Sequence, residues 1–153
     1  MEEKTILYHG SNLSIITPEV RTDKYAKDFG NGFYCTTIRK QAERWAGRYK
    51  TPVLNVYEYQ ENERLTALVF KEMTEEWLDF VVACRAWEPH GYDIVEGPMA
   101  DDQIYNYVAD YISGVITREQ FWALAKFKHP THQIAFCTAK SLKCITFKDS
   151  IVL

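Results

Sequence analysis

A chain of 153 residues with 46% hydrophobic and 25% charged positions has the make-up of one soluble globular domain with a single core. Its net charge of −3 argues against generic nucleic-acid binding, and no apolar run reaches the ~20 residues needed to span a bilayer. The acidic start MEEKTILYHG is not that of a signal peptide, and a cytoplasmic protein is expected. The four cysteines, Cys35, Cys84, Cys137 and Cys144, form no C-x-x-C pair and have no His at ligand spacing, so free buried thiols and no metal are expected.

In chain order, Thr5 to Tyr8 predicts a short strand ending at His9-Gly10, and residues 11–27, with Pro18, a loop or broken helix. Gly30 and Gly32 bracket a tight approach into a strand from Phe33 to Cys35. Thr37 is a candidate N-cap for a helix from Ile38 to about Tyr49, with Ile38, Ala42, Trp45, Ala46 and Tyr49 on one face. Lys40, Arg44, Arg48 and Lys50 on that helix form a solvated basic face. Strands follow at Val53 to Tyr59 and Leu65 to Phe70, separated by a turn at Glu61-Asn62-Glu63. Thr74-Glu75-Glu76 opens a helix whose apolar face is Trp77, Leu78, Val81 and Val82.

Tyr92 to Val95 predicts a buried strand. Asp101 is placed to cap a helix from Asp102 to Ser113, with Gly114 just past its end. Thr117-Arg118-Glu119-Gln120 matches a capping box that starts a further helix to about Phe127. Gln133 to Cys137, a turn or short helix at Ala139 to Leu142, and Ile145 to Phe147 complete the chain. Helices and strands do not alternate regularly, which gives an α+β class for one domain over residues 1–153.

Among local motifs, Asp28-Phe29-Gly30 matches the metal-binding triplet of protein kinases. It stands without a glycine-rich phosphate loop or a His-Arg-Asp loop, and that reading is discarded. Tyr8-His9-Gly10-Ser11 followed by Gly30-Asn31-Gly32-Phe33-Tyr34-Cys35-Thr36 resembles the nicotinamide pocket of the His-Tyr-Glu ADP-ribosyltransferases, the group of diphtheria-type toxins and poly(ADP-ribose) polymerases. More narrowly, the chain is similar to an uncharacterised bacterial domain family placed in that superfamily. That likeness rests on the same two motifs with Asp28-Phe29, Gln41-Ala42 with Trp45-Ala46, Trp77-Leu78-x-Phe80, Tyr92-Asp93-Ile94-Val95-x-Gly97-Pro98 with Ala100-x-Asp102, and Gln133-Ile134-x-Phe136-x-Thr138.

The resemblance implies a split β-core with flanking helices and NAD in its cleft. Tyr8, His9, Gly10, Ser11, Gly32, Phe33 and Tyr34 would bind NAD, with His9 anchoring it and Tyr34 stacking on nicotinamide. Cleaving the bond between ribose and charged nicotinamide passes through an oxocarbenium-like state, so the site has to pin the ribose, stack the ring and stabilise positive charge. The superfamily's catalytic Glu falls here at Gln133, which can hold a ribose hydroxyl but brings no charge. That loss is on the order of several kcal/mol of barrier. Glu96, Asp101 and Asp102 are alternative acids. His9, Tyr34 and Gln133 are thus the expected catalytic set of a mono-ADP-ribosyltransferase, with NAD as substrate. Its acceptor would be a macromolecule, protein before nucleic acid, and its context a bacterial toxin with an antitoxin partner. A non-catalytic NAD-binding module and an NAD glycohydrolase are the other readings.

Overall fold

The strand Phe33–Cys35 (β2) and the strand Gln133–Phe136 (β6) have every residue buried. Strands covered on both faces lose the polar–apolar alternation of half-exposed ones, as Phe-Tyr-Cys and Gln-Ile-Ala-Phe show. The computed structural model describes residues 4–20, 27–100, 102–125 and 131–153. Within them β2, β6, Ile94–Gly97 (β5) and Ala67–Val69 (β4) form one sheet in the order β2-β6-β5-β4. Its β4–β5 pair is parallel and the others antiparallel. A second, fully antiparallel sheet orders Thr5–Ser11 (β1), Val53–Tyr59 (β3) and Ile145–Val152 (β7) as β1-β3-β7. Among the described residues one bridge joins the sheets, where Tyr8 and Thr36 exchange N–H···O bonds of 2.8 and 2.9 Å.

The second face of each buried strand needs its own cover. One apolar cluster lies between the sheets and contains Leu7, Tyr57 and Ile145 opposite Phe33, Ile134 and Phe136. The other lies under the helices Glu75–Arg85 (α2), Asp102–Ile112 (α3) and Arg118–Ala125 (α4). There Tyr34, Val95 and Ala135 of the sheet meet Trp77, Leu78, Val81, Val108 and Phe121. The α+β class is therefore observed, with three helices on one sheet and the helix Arg39–Ala46 against β1 of the other.

Several helix ends follow local chemistry. The Thr74 hydroxyl caps α2 by accepting from the Trp77 amide at 3.1 Å. Thr117 and Gln120 form the reciprocal capping box of α4, at 2.8 and 3.1 Å. Arg118, the first residue of α4, ties it back to α2 through Glu75 and Asp79. The helix Arg39–Ala46 (α1) departs from expectation: it starts one residue late, ends at Gly47, and has no side-chain cap. Thr37 is exposed, and it is the buried Thr36 whose hydroxyl takes the Ile38 amide. Tyr49, expected on the apolar face, is 47% exposed beyond the helix. In α2, Val82 is half-buried against the core as part of the expected face, and Cys84 is buried as well.

Other boundaries moved for tertiary reasons. β1 runs on to Ser11 and β7 to Val152, because β3 supplies partners for residues too polar to signal a strand. β4 is shorter than predicted, since Leu65 is held in a turn by Asn62. β5 begins late because Asp93 is engaged with Thr66. The turn expected near 139–142 is a 3₁₀ turn at Ser141–Cys144. All four thiols are free, three buried and Cys137 half-buried. No helix among the described residues is long and apolar enough to cross a membrane. Asp101, the predicted cap of α3, lies outside them.

Gly10 owes its identity to α1. A Cβ there would lie 2.2 Å from the Ala42 carbonyl oxygen and 2.7 Å from the Ala46 nitrogen, both backbone atoms that cannot yield alone. Gly10→Ala is expected to cost about 2–3 kcal/mol, in the range for overpacking. That would lower a thermal midpoint by roughly 4–12 °C, while Gly91→Ala, with open space around the position, leaves it near wild type.

Asp93 gives a second expectation. Burial opposes its charge, but the Thr66 amide, the Thr138 and Thr66 hydroxyls and Lys140 together hold its carboxyl below the usual range. A carboxyl depressed on folding contributes stability above its unfolded value near ~3.9 and loses it as pH falls through the lower native value. Asp93→Asn should therefore destabilise the protein at pH 7 and narrow its gap to wild type in urea melts taken progressively below about pH 4.

Candidate functional site

The expected NAD residues lie on three strands that fold together. β1 carries Tyr8 to Ser11, β2 carries Phe33 and Tyr34, and β6 starts at Gln133. Tyr34 pairs with Ala135, two residues from Gln133, so the Tyr34 and Gln133 side chains share the helical face of their sheet. Gly32 permits this pairing, since a Cβ would press on the Phe136 carbonyl at 3.0 Å.

His9 lies on the other side of β2. Its ring stacks on Phe33 with centroids 4.3 Å apart, and its Nδ1 is 2.5 Å from the Tyr34 carbonyl oxygen. A carbonyl only accepts, so Nδ1 bears the proton. Tyr8 sends its ring out under the Arg39 guanidinium, 6.0 Å away. Ser11 is buried and its hydroxyl is engaged locally with Asn12 and the Leu13 amide at 3.4 Å. Because Tyr8 spends both backbone groups on Thr36, ladder alternation turns those of Leu7 and His9 to β3. The Gly10 N–H and C=O point to the β2 side.

Tyr34 is only 6% exposed. Its hydroxyl donates to the Gly30 carbonyl at 2.5 Å and accepts from the Phe29 amide at 3.1 Å. Gly30 can close this turn because it stands at φ +82°. Burial, reinforced by the Asp28 charge, pushes the phenol well above its ordinary range, so it stays protonated. The Lys27 ammonium sits 4.9 Å from the centre of the Tyr34 ring.

Gln133 is 4% exposed and its Nε2 donates to Asp28 Oδ2 at 3.2 Å. Asp28 is itself buried. Its Oδ2 also takes the Ala100 amide at 2.9 Å, and its Oδ1 takes Arg85 Nη2 and Nε at 2.7 and 3.2 Å. Arg85 is held in turn by the Tyr105 carbonyl and ring. Asp28 was visible as the first residue of a triplet set aside as kinase-like. Its link to Gln133 spans 105 positions, and nothing in the sequence marks Arg85 as its partner.

Of the alternative acids, Glu96 faces away from Gln133. Glu96 lies within β5, opposite Ile134 and so on the inter-sheet face, and binds His132 Nε2 at 2.8 Å. His132 Nδ1 accepts the Thr37 amide at 3.1 Å, which assigns its proton to Nε2. The buried Gln41 clasps the His132 peptide with both ends of its amide, at 2.6 and 3.2 Å. Gln41 and His132 are thus further site-forming residues, and they anchor the chain one step before Gln133. Asp101 lies outside the described residues; Asp102 opens α3. A cavity of about 500 Å³ among the described residues sits at the far end of β1, lined by Lys4, Glu58, Gln60 and Lys143, away from all of these groups.

A family model described as "Protein of unknown function (DUF3990)" matches residues 5–147. No curated protein and no solved structure matches the chain.

Removing the Asp28 carboxylate would strand the Arg85 guanidinium, whose side chain is 7% exposed. Asp28→Ala is expected to cost about 3–5 kcal/mol, the range for breaking one side of a buried ion pair. Chemical denaturation should show it as a lowered midpoint, with a smaller loss for Gln133→Ala.

Proposed function

The chain belongs to the DUF3990 family, and we propose that it is an ADP-ribosyltransferase-like domain that binds NAD and transfers ADP-ribose to a macromolecular acceptor, releasing nicotinamide. One observation carries this reading. Residues 8–11, 32–34 and 133, which the resemblance assigns to one NAD site, lie on strands joined through the Tyr8–Thr36 bridge and the Tyr34–Ala135 pair. In this reading the Gly10 N–H and C=O clasp the nicotinamide carboxamide from the strip between β1 and β2. His9, fixed by Phe33 and the Tyr34 carbonyl, anchors a ribose hydroxyl.

Tyr34 offers the stacking surface. The face under Lys27 already holds a cation, and the positively charged nicotinamide ring replaces that ammonium on the same π-face. The acceptor is a protein in preference to nucleic acid, given the net charge of −3. A bacterial toxin acting in the cytoplasm and held by an antitoxin is the biological setting that the resemblance suggests.

A second reading has its own support. The carboxylate that meets Gln133 is paired with Arg85 at 2.7 Å, so Asp28 is not a free charge for stabilising an oxocarbenium ion. That favours a domain that binds NAD without turning it over.

Purified protein incubated with NAD, with and without cell lysate, separates the outcomes. Tyr34→Ala would empty a core position, so His9→Ala is the informative variant. Nicotinamide release that needs lysate and falls about tenfold or more in His9→Ala, the loss of one strong hydrogen bond in the transition state, is the expected result. Release independent of lysate identifies a glycohydrolase. Binding without release identifies the module. Neither binding nor release overturns the NAD reading.

A further inference from the structure

We propose that Asp28 is a positioning residue that fixes which end of the Gln133 amide a ligand meets. Asp28 accepts from four donors: two nitrogens of Arg85, the Ala100 amide and Gln133 Nε2. A carboxylate has nothing to donate, so only the NH2 of Gln133 can face it. The carbonyl end, Oε1, is turned away, and no donor among the described residues meets it. A reaction that needs an acceptor for a ribose hydroxyl at this position therefore finds Oε1 and not NH2. This rests on the NAD reading above. It adds that the carboxylate the superfamily keeps on β6 is here one side chain deeper, with Gln133 relaying the acceptor role outward.

The arrangement forbids the simplest reversion. Gln133→Glu would set two carboxylates against each other at the 3.2 Å now spanned by a hydrogen bond. Asp28→Asn keeps an oxygen for Arg85 but turns an NH2 toward Gln133 and toward the Ala100 amide, which loses its acceptor. That NH2 cannot meet another NH2, so the Gln133 amide flips and offers nitrogen outward. Combining the two changes restores complementarity at position 133, while the Ala100 amide still lacks its acceptor. The new amide at position 28 donates its NH2 to one oxygen of the new carboxylate at position 133, and the other oxygen is left facing out.

Two measurements on the full chain test this. The first needs no NAD. In ¹⁵N-labelled protein the Gln133 NH2 signals, assigned by their loss in Gln133→Met, are expected to be protected from exchange. They should move and lose protection in Asp28→Asn, and unchanged signals there overturn the proposal. The second is NAD affinity and nicotinamide release, each normalised to folded protein. Asp28→Asn and Gln133→Glu should each fall about tenfold or more, the scale of one hydrogen bond lost or opposed. The double variant should recover about tenfold or more over Asp28→Asn. A merely structural Asp28 would leave the double variant no better than Asp28→Asn, and full activity in Gln133→Glu alone would equally overturn the idea. If the wild type does not bind NAD, the NAD reading fails together with the ribose role, and the exchange measurement still decides the amide orientation.

Discussion

The buried carboxylate of Asp28 is where this domain is tied together. Its four donors come from the end of α2, from the loop before α3 and from the start of β6, and it stands itself just ahead of β2. Taking an Asp and an Arg out of water is costly, and their mutual attraction offsets that cost only when the remaining hydrogen-bonding groups are also satisfied. Here Ala100 and Gln133 complete the set on Asp28, and Tyr105 does so for Arg85. The network fixes the helical layer against the sheet at the edge where the expected NAD residues lie. Apolar packing alone would hold the layers together without fixing their register to a fraction of an ångström.

The central sheet has a further consequence. β2 and β6 are buried on both faces, so neighbouring residues serve different layers. Phe33 looks to the inter-sheet core and His9, while Tyr34 looks to the helices and Asp28. The motif residues meet through the backbone of β2 rather than ring to ring: His9 bonds the carbonyl of the residue whose ring it does not touch. A ligand held by both His9 and Tyr34 has to reach around the edge of β2. The glycines on either side, Gly10 under α1 and Gly32 beside Phe136, keep that edge narrow.

Secondary polar clasps surround this centre. Gln41 grips the His132 peptide and Glu96 its imidazole, and so they set the start of β6 from the outside as Asp28 does from within. Asp93 does the same at the opposite end of the sheet, where Thr66 and Thr138 join β5 to the segments beside it. For Gln41, Asp28 and Asp93 a buried polar side chain meets backbone groups at a point where the chain leaves the sheet, and these would otherwise be orphaned.

By itself the sequence determined the features that depend on residues a few positions apart. These are the α+β mixture, the helix start at Thr74-Glu75-Glu76, the Thr117–Gln120 box and the order of the two glycine-flanked motifs. A cap or a turn is decided within one helical turn of chain, and its signature is local. Tertiary structure decided the rest. β1 and β7 extend through polar residues because β3 pairs with them. The start of α1 is set by Thr36, whose place is fixed by Tyr8. The faces of β2 and β6 could not be read from sequence, because strands apolar on both sides carry no alternation to say which side is which. The contact between Asp28 and Gln133 was hidden for a related reason: hydrogen bonds between residues 105 positions apart leave no trace in local pattern, and only the closed fold brings the carboxylate to the amide.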